Sequence, residues 1–211
     1  MIFSGVVRSK FVFLGDAAAT ANSIRSSEWL FRLDFVSDLI SSVLFLLAAW
    51  ALYVLLRPVD RNLALLFLLL NLGGVAIAGA NMLNQMAALL LLSGADYLQA
   101  FPAEQRQALA MLFVDLHKNG SVLSQLFFGT WLFPLGYLVL KSGFLPRILG
   151  LLLLIDGVGE MIWFTQFFLF PGYDVVTYPG WVAGFIAEFS LSLWLLIKGA
   201  EDRKPVALEA S

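Results

Sequence analysis

The chain has 211 residues, of which 60% are hydrophobic and only 13% charged, with a formal net charge of -2. Soluble domains carry about 25% charged and about 45–50% apolar residues, so the composition points to the membrane as solvent and the length to one domain. Without cysteine and with one histidine, disulfides, thiolate nucleophiles and Cys-ligated metals are excluded; no metal site, cofactor or nucleic-acid partner is expected.

Residues 1–33 do not read as a signal peptide, because no basic start leads into an uninterrupted apolar core. Gly15-Asp16 before an Ala-rich stretch reads as a capped, amphipathic outer helix running toward Leu33. A span needs about 20 mostly apolar residues to cross about 30 Å of hydrocarbon. Residues 35–56 satisfy this and are closed by Arg57-Pro58-Val59-Asp60-Arg61. Residues 63–92 form a second span, longer than a bilayer needs and so expected to tilt.

After a polar stretch, Pro102 and Glu104 start a third helix able to continue to Leu140. Its first half is too polar for lipid, which leaves 120–140 as the span, ended by Lys141-Ser142-Gly143. Residues 147–170 and 178–198 complete the set, separated by the turn Pro171-Gly172. The expected fold is all-α: a polytopic transmembrane bundle of five spans in a single domain, 1–200, with a polar tail at 201–211. No internal repeat is visible.

Orientation follows the basic residues of short loops. Arg57, Arg61, Lys141, Arg147, Lys198, Arg203 and Lys204 fall on one side and only Arg106 on the other. This predicts an inner (plasma) membrane protein with a cytoplasmic C-terminus. The N-terminal segment, with four basic residues of its own, is then left outside against that rule.

Several strings carry a family likeness: Gly15-Asp16-Ala17-Ala18-Ala19-Thr20-Ala21, LYVLLRPVDRNLALL at 52–66, LLLLSGADYLQAF at 89–101, GYLVLKSGFLPRILG at 136–150 and EFSLSLWLLIKG at 188–199. Together they resemble the bacterial membrane proteins grouped as domain of unknown function 4386. The resemblance implies a fold and no established activity. It also implies six spans, with MIFSGVVRSKFVF standing for the outer end of a missing first helix. A groove is then expected where that helix would pack, filled by lipid, a small lipophilic ligand or a second copy. Relatives tend to have uncharged residues at the positions of Asp156 and Glu160, so the resemblance gives those two no shared role.

Ionisable residues at membrane depth cost at least about 2.5–3.5 kcal/mol each and are functional candidates by default. At about 1.5 Å per residue, Glu188 and Glu160 each lie roughly 15 Å from the outer surface, with Asp156 one turn deeper on the same face as Glu160. Glu188 is expected to face the bundle, with Asn71, Gln125, Glu160 or a backbone carbonyl as partner. The five residues form a candidate proton- or cation-linked site; the alternative is a set of packing acids and amides.

A second polar group comprises Asp38, Asn81, Asn84, Gln85, Asp115 and His117. It reads either as an outer water-filled vestibule or as a solvated helix end. Gly73, Gly74, Ala78 and Gly79 form a small-residue pattern for close helix approach. The aromatics Trp163, Phe164, Phe167, Phe168, Phe170, Tyr173, Tyr178 and Trp181 read as an interfacial belt, or as an apolar-ligand pocket. No HExxH, GxSxG or phosphate-loop motif is present. Three classes stay open: a binding or transport protein, a membrane enzyme acting on a lipophilic substrate, and a non-catalytic scaffold.

Overall fold

The computed structural model describes residues 11–13 and 15–199. The first ten residues, which include most of the segment expected to be an outer helix end, and the polar tail lie outside them. Among the described residues there are six α-helices and no strand: α1 (Ala17–Ser26), α2 (Glu28–Leu56), α3 (Arg61–Leu92), α4 (Ala103–Ser142), α5 (Arg147–Leu169) and α6 (Tyr178–Ile197). All but α1 are long and apolar enough to cross a bilayer. The protein is a multi-pass helical membrane protein.

Local chemistry sets the helix ends. The Ala19 N–H donates to Asp16 Oδ1 at 2.8 Å, capping α1 as expected. Asp60 Oδ1 accepts from the Asn62 and Leu63 N–H groups at 3.0 Å each, so the turn after Pro58 caps α3. Gly143 takes the left-handed conformation (φ +70°) that ends α4. One boundary differs from expectation. The outer helix stops at Ser26, and the first span helix begins at Glu28 rather than Phe35. An Arg32–Glu28 pair at 2.7 Å, one turn apart, supports this added start, and Phe31 is buried within it.

The chain condenses into two compact units. The first takes the described residues through Ala48 together with Gly73–Ser124; the second takes Ala49–Leu72 and the described residues from Gln125 onward. Within the first, Thr20, Ala21 and Ile24 form the buried face of α1. Ala21 and Ile24 share a core with Phe31, Ala88, Leu92 and Ala110. Arg25 Nε donates to the Leu92 carbonyl at 3.3 Å, satisfying one of the free carbonyls at the end of α3.

The second unit is built on glycines. A methyl group added at Gly150 would lie 2.7 Å from the Gly136 carbonyl oxygen, and one at Gly157 would lie 3.2 Å from the Gly129 oxygen. These two pairs, seven residues apart on each helix, bring α4 and α5 into backbone contact. Gly159 and Gly180 do the same for α5 and α6, at 2.7 Å. In lipid, where apolar burial does not drive helices together, such close van der Waals packing does. The small-residue run in α3 shows no equivalent at Gly79, where an added methyl meets open space.

Candidate functional site

The α5–α6 hairpin positions the three carboxyls. Gly159 packs on Gly180, and one turn along, Asp156 packs on Gly184. A methyl at Gly184 would sit 2.5 Å from Asp156 Oδ1, so the missing side chain is what admits the carboxyl against the α6 backbone. Asp156 is 2% exposed. Its Oδ2 has no hydrogen-bond partner, and neither does Glu160 Oε2. Asp156 lies within electrostatic reach of Glu188, and Glu160 within reach of both.

This register corrects two expectations. Asp156, not Glu160, lies closest in depth to Glu188: it faces Gly184, one turn before Glu188. The carboxyls therefore form a ladder of Glu160, Asp156 and Glu188, with steps of about 6 Å. Glu188 is also not on the buried stripe of α6. The buried positions of α6 are Gly184, Ala187 and Leu191, and Glu188 stands just off that stripe with its surface exposed. Asn71 and Gln125 are not joined to the ladder by hydrogen bonds. Asn71 is completely buried with both amide atoms unpartnered, and Gln125 is only partly buried.

The second polar group is drawn together more tightly, within the first unit. Asn81 Nδ2 donates to the His117 carbonyl at 2.8 Å and to Ser121 Oγ at 3.2 Å. Asn84 Nδ2 donates to Asn81 Oδ1 at 2.9 Å. His117 Nδ1 lies 3.2 Å from the Asn81 carbonyl. The Asn81 amide rests on the α4 backbone at Gly120, where any side chain would collide with it. His117 is thus buried, not set at a solvated helix end. Gln85 Nε2 donates to Asp34 Oδ2 at 3.1 Å. Asp38 and Asp115 are partly buried; their backbone carbonyls accept from Ser42 and Asn119.

The aromatic-rich end of the hairpin holds an apolar groove of about 580 Å³, lined by Phe133, Val158, Met161, Ile162, Phe170 and Tyr173 among others. Gln166 braces it, donating to the Phe170 carbonyl and to Asp174 Oδ1, both at 3.1 Å. Beside it Trp163 and Trp181 meet edge to face, with centroids 5.9 Å apart.

The family model described as "Domain of unknown function (DUF4386)" matches residues 1–199. The chain belongs to this family. An "Uncharacterized protein" of Archaeoglobus fulgidus is 31% identical over 159 residues, 74% of this chain and 78% of the relative. No solved structure matches. DUF4386 brings no activity with it, so chemistry in this member rests on its own side chains.

Two of those side chains are not marked by any local pattern in the sequence. Asp34, the buried partner of Gln85, sits just outside the expected span start, and its partner is 51 residues away; its one signal is that it precedes Asp38 by one helical turn. Gln166 has no such signal, because a lone amide among aromatics forms no motif. Among the described residues of this DUF4386 protein, no group of three or more His, Cys, Asp or Glu side chains is placed to hold a metal ion.

Proposed function

We propose that this membrane protein binds a proton or another cation at the Asp156–Glu160–Glu188 ladder. One observation carries the reading: Asp156 is 2% exposed yet keeps an unpartnered carboxylate oxygen. Between Arg147 and Lys198 there is no Lys, Arg or His to neutralise the ladder. A buried carboxylate must be paired or neutralised, because its charge loses hydration that apolar surroundings do not replace. The counter-charge must then be a proton or a bound cation.

The ladder covers about 12 Å of a hydrocarbon core about 30 Å thick. That makes it a binding station rather than a complete path. The basic loops support a cytoplasmic C-terminus, with Arg57, Lys141, Arg147 and Lys198 on that side. An impermeant thiol reagent applied outside is expected to label a cysteine placed at Asp174 and to miss one placed at Asp60; the reverse pattern overturns the orientation. A second reading, a lipophilic ligand in the groove beside Phe133 and Met161, is favoured by that groove's size and apolar lining.

The cation reading is tested by potentiometric titration of the purified protein beside Asp156→Asn and the triple variant Asp156→Asn/Glu160→Gln/Glu188→Gln. The amides keep shape and polarity but take no proton. The wild type should take up protons that the triple variant does not, at equal folded yield. Identical titration curves, with or without added sodium, would leave the carboxyls as packing groups only.

A further inference from the structure

Resting on the ladder reading, we infer that the cation this site takes is a lipophilic one, an amine or onium group carried on apolar substituents, which reaches Glu188 sideways from the bilayer. The inference begins with what surrounds Glu188. Phe185, Glu188 and Phe189 stand at i, i+3 and i+4 on α6 and so share one face. The two rings are stacked, with centroids 5.6 Å apart and planes 9° from parallel. They are 58% and 56% exposed, and Glu188 is exposed with them. Its ionisable neighbours, Asp156 and Glu160, are themselves acids, so it makes no ion pair with them. Phenylalanine faces attract cations through their negative quadrupole, and a carboxylate beside them supplies the matching charge.

Charge complementarity and desolvation then select the class of cation. The hairpin from 148 to 197 carries Asp156, Glu160, Asp174 and Glu188 and no basic residue. Asp156, buried with a free oxygen one turn away, extends the negative site inward from the exposed face. A small inorganic cation would have to shed its water onto carboxyls that are not arranged as a metal-ligand set. A lipophilic onium ion already partitions into the bilayer and is weakly hydrated. Its apolar groups match Phe185 and Phe189, and its charge matches Glu188.

The test is equilibrium binding of radiolabelled tetraphenylphosphonium to the full-length protein in lipid nanodiscs, with proton titration of the same preparation as a separate readout. Saturable binding is expected. Glu188→Gln should weaken it at least tenfold, and Phe185→Leu or Phe189→Leu should weaken it severalfold while keeping apolar bulk. Tetramethylammonium, equally charged but hydrophilic, should compete at least a hundredfold less well. Equal affinity in wild type and Glu188→Gln, or equal competition by tetramethylammonium, overturns the inference. So does a self-associated form, seen by light scattering, in which the Phe185–Phe189 face is covered by a second copy and the probe does not bind. Proton uptake without tetraphenylphosphonium binding would sink the lipophilic cation alone; loss of both readouts would sink the ladder as well.

Discussion

In the first unit Asn81, Gln85 and His117 are at most 7% exposed, and each meets a partner on another helix. In the second, Asn71 and Asp156 are at most 2% exposed, and neither the Asn71 amide nor Asp156 Oδ2 has a partner. The chain thus treats buried polarity in two ways. A satisfied network fixes register and geometry, because each group would cost the full desolvation penalty if displaced. An unsatisfied group in a native structure calls for an occupant or a role. The contrast is one of degree, because His117 Nε2 and Asp34 Oδ1 in the first unit also lack a hydrogen-bond partner, although each residue is held through its other atoms. The site is assigned to the carboxyls because their hairpin carries no basic residue to neutralise them.

The largest expected effect tests what allows the second unit to carry such groups at all. Gly150 packs so closely that an added methyl would sit 2.7 Å from the Gly136 oxygen and 2.8 Å from the Leu140 nitrogen, both backbone atoms. Backbone cannot swing aside as a side chain can. Gly150→Val should therefore cost more than the usual ~1–3 kcal/mol of overpacking. The expected outcome is loss of most monodisperse protein on size exclusion. Recovery of folded protein at the wild-type level would show that α4 and α5 do not need this contact.

The contrast itself is tested by a pair of substitutions with the same chemistry. Asn81→Leu strands the groups that Asn81 now serves and should destabilise by about 1–3 kcal/mol. Asn71→Leu removes an amide that satisfies nothing and keeps its branched shape at a larger volume, so it should cost less than Asn81→Leu. Thermal unfolding in one detergent reads both. Equal losses would mean that Asn71 is satisfied by a bound molecule, and the line between the two units would have to be redrawn.

Much of this organisation is legible in the sequence, and the rest is hidden for identifiable reasons. Span positions follow from apolar runs of bilayer length, and the Asp60 and Gly143 ends from turn chemistry. The carboxyls at 156, 160 and 188 stand out because ionisable residues are rare in such runs. Their relative heights do not, because depth counted from each helix end assumes level ends. The actual register is set by Gly159 meeting Gly180. Which way Glu188 faces is equally hidden. On a helix apolar all round, the inward stripe is chosen by the small residues Gly184 and Ala187, and no polar face marks it. Asp34 pairs with a residue 51 positions away, which no local pattern reports.

A smaller effect is expected where the first unit joins α2 to α3. Gln85 and Asp34 share one hydrogen bond of 3.1 Å. Interhelical side-chain hydrogen bonds in membrane proteins average about 0.6 kcal/mol and reach about 1.7. A double-mutant cycle of Asp34→Leu and Gln85→Leu should give a coupling near the upper part of that range, since both groups are at most 3% exposed. Additive losses would remove this pair from the satisfied network.

The smallest expected effect is at Gly79. The run Gly73, Gly74, Ala78, Gly79 has the spacing of a close helix contact, yet an added methyl at Gly79 meets nothing within 4 Å. Alanine is the better helix former by about 1 kcal/mol in water, because glycine surrenders more backbone freedom on folding. Gly79→Ala should therefore range from neutral to about 1 kcal/mol stabilising, against the collapse expected for Gly150→Val. A substantial loss would mean that the open space beside Gly79 is filled in the membrane. Light scattering would then distinguish the cause: dissociation of an oligomer would identify a second copy as the filler, whereas an unchanged mass would point to lipid held against α3.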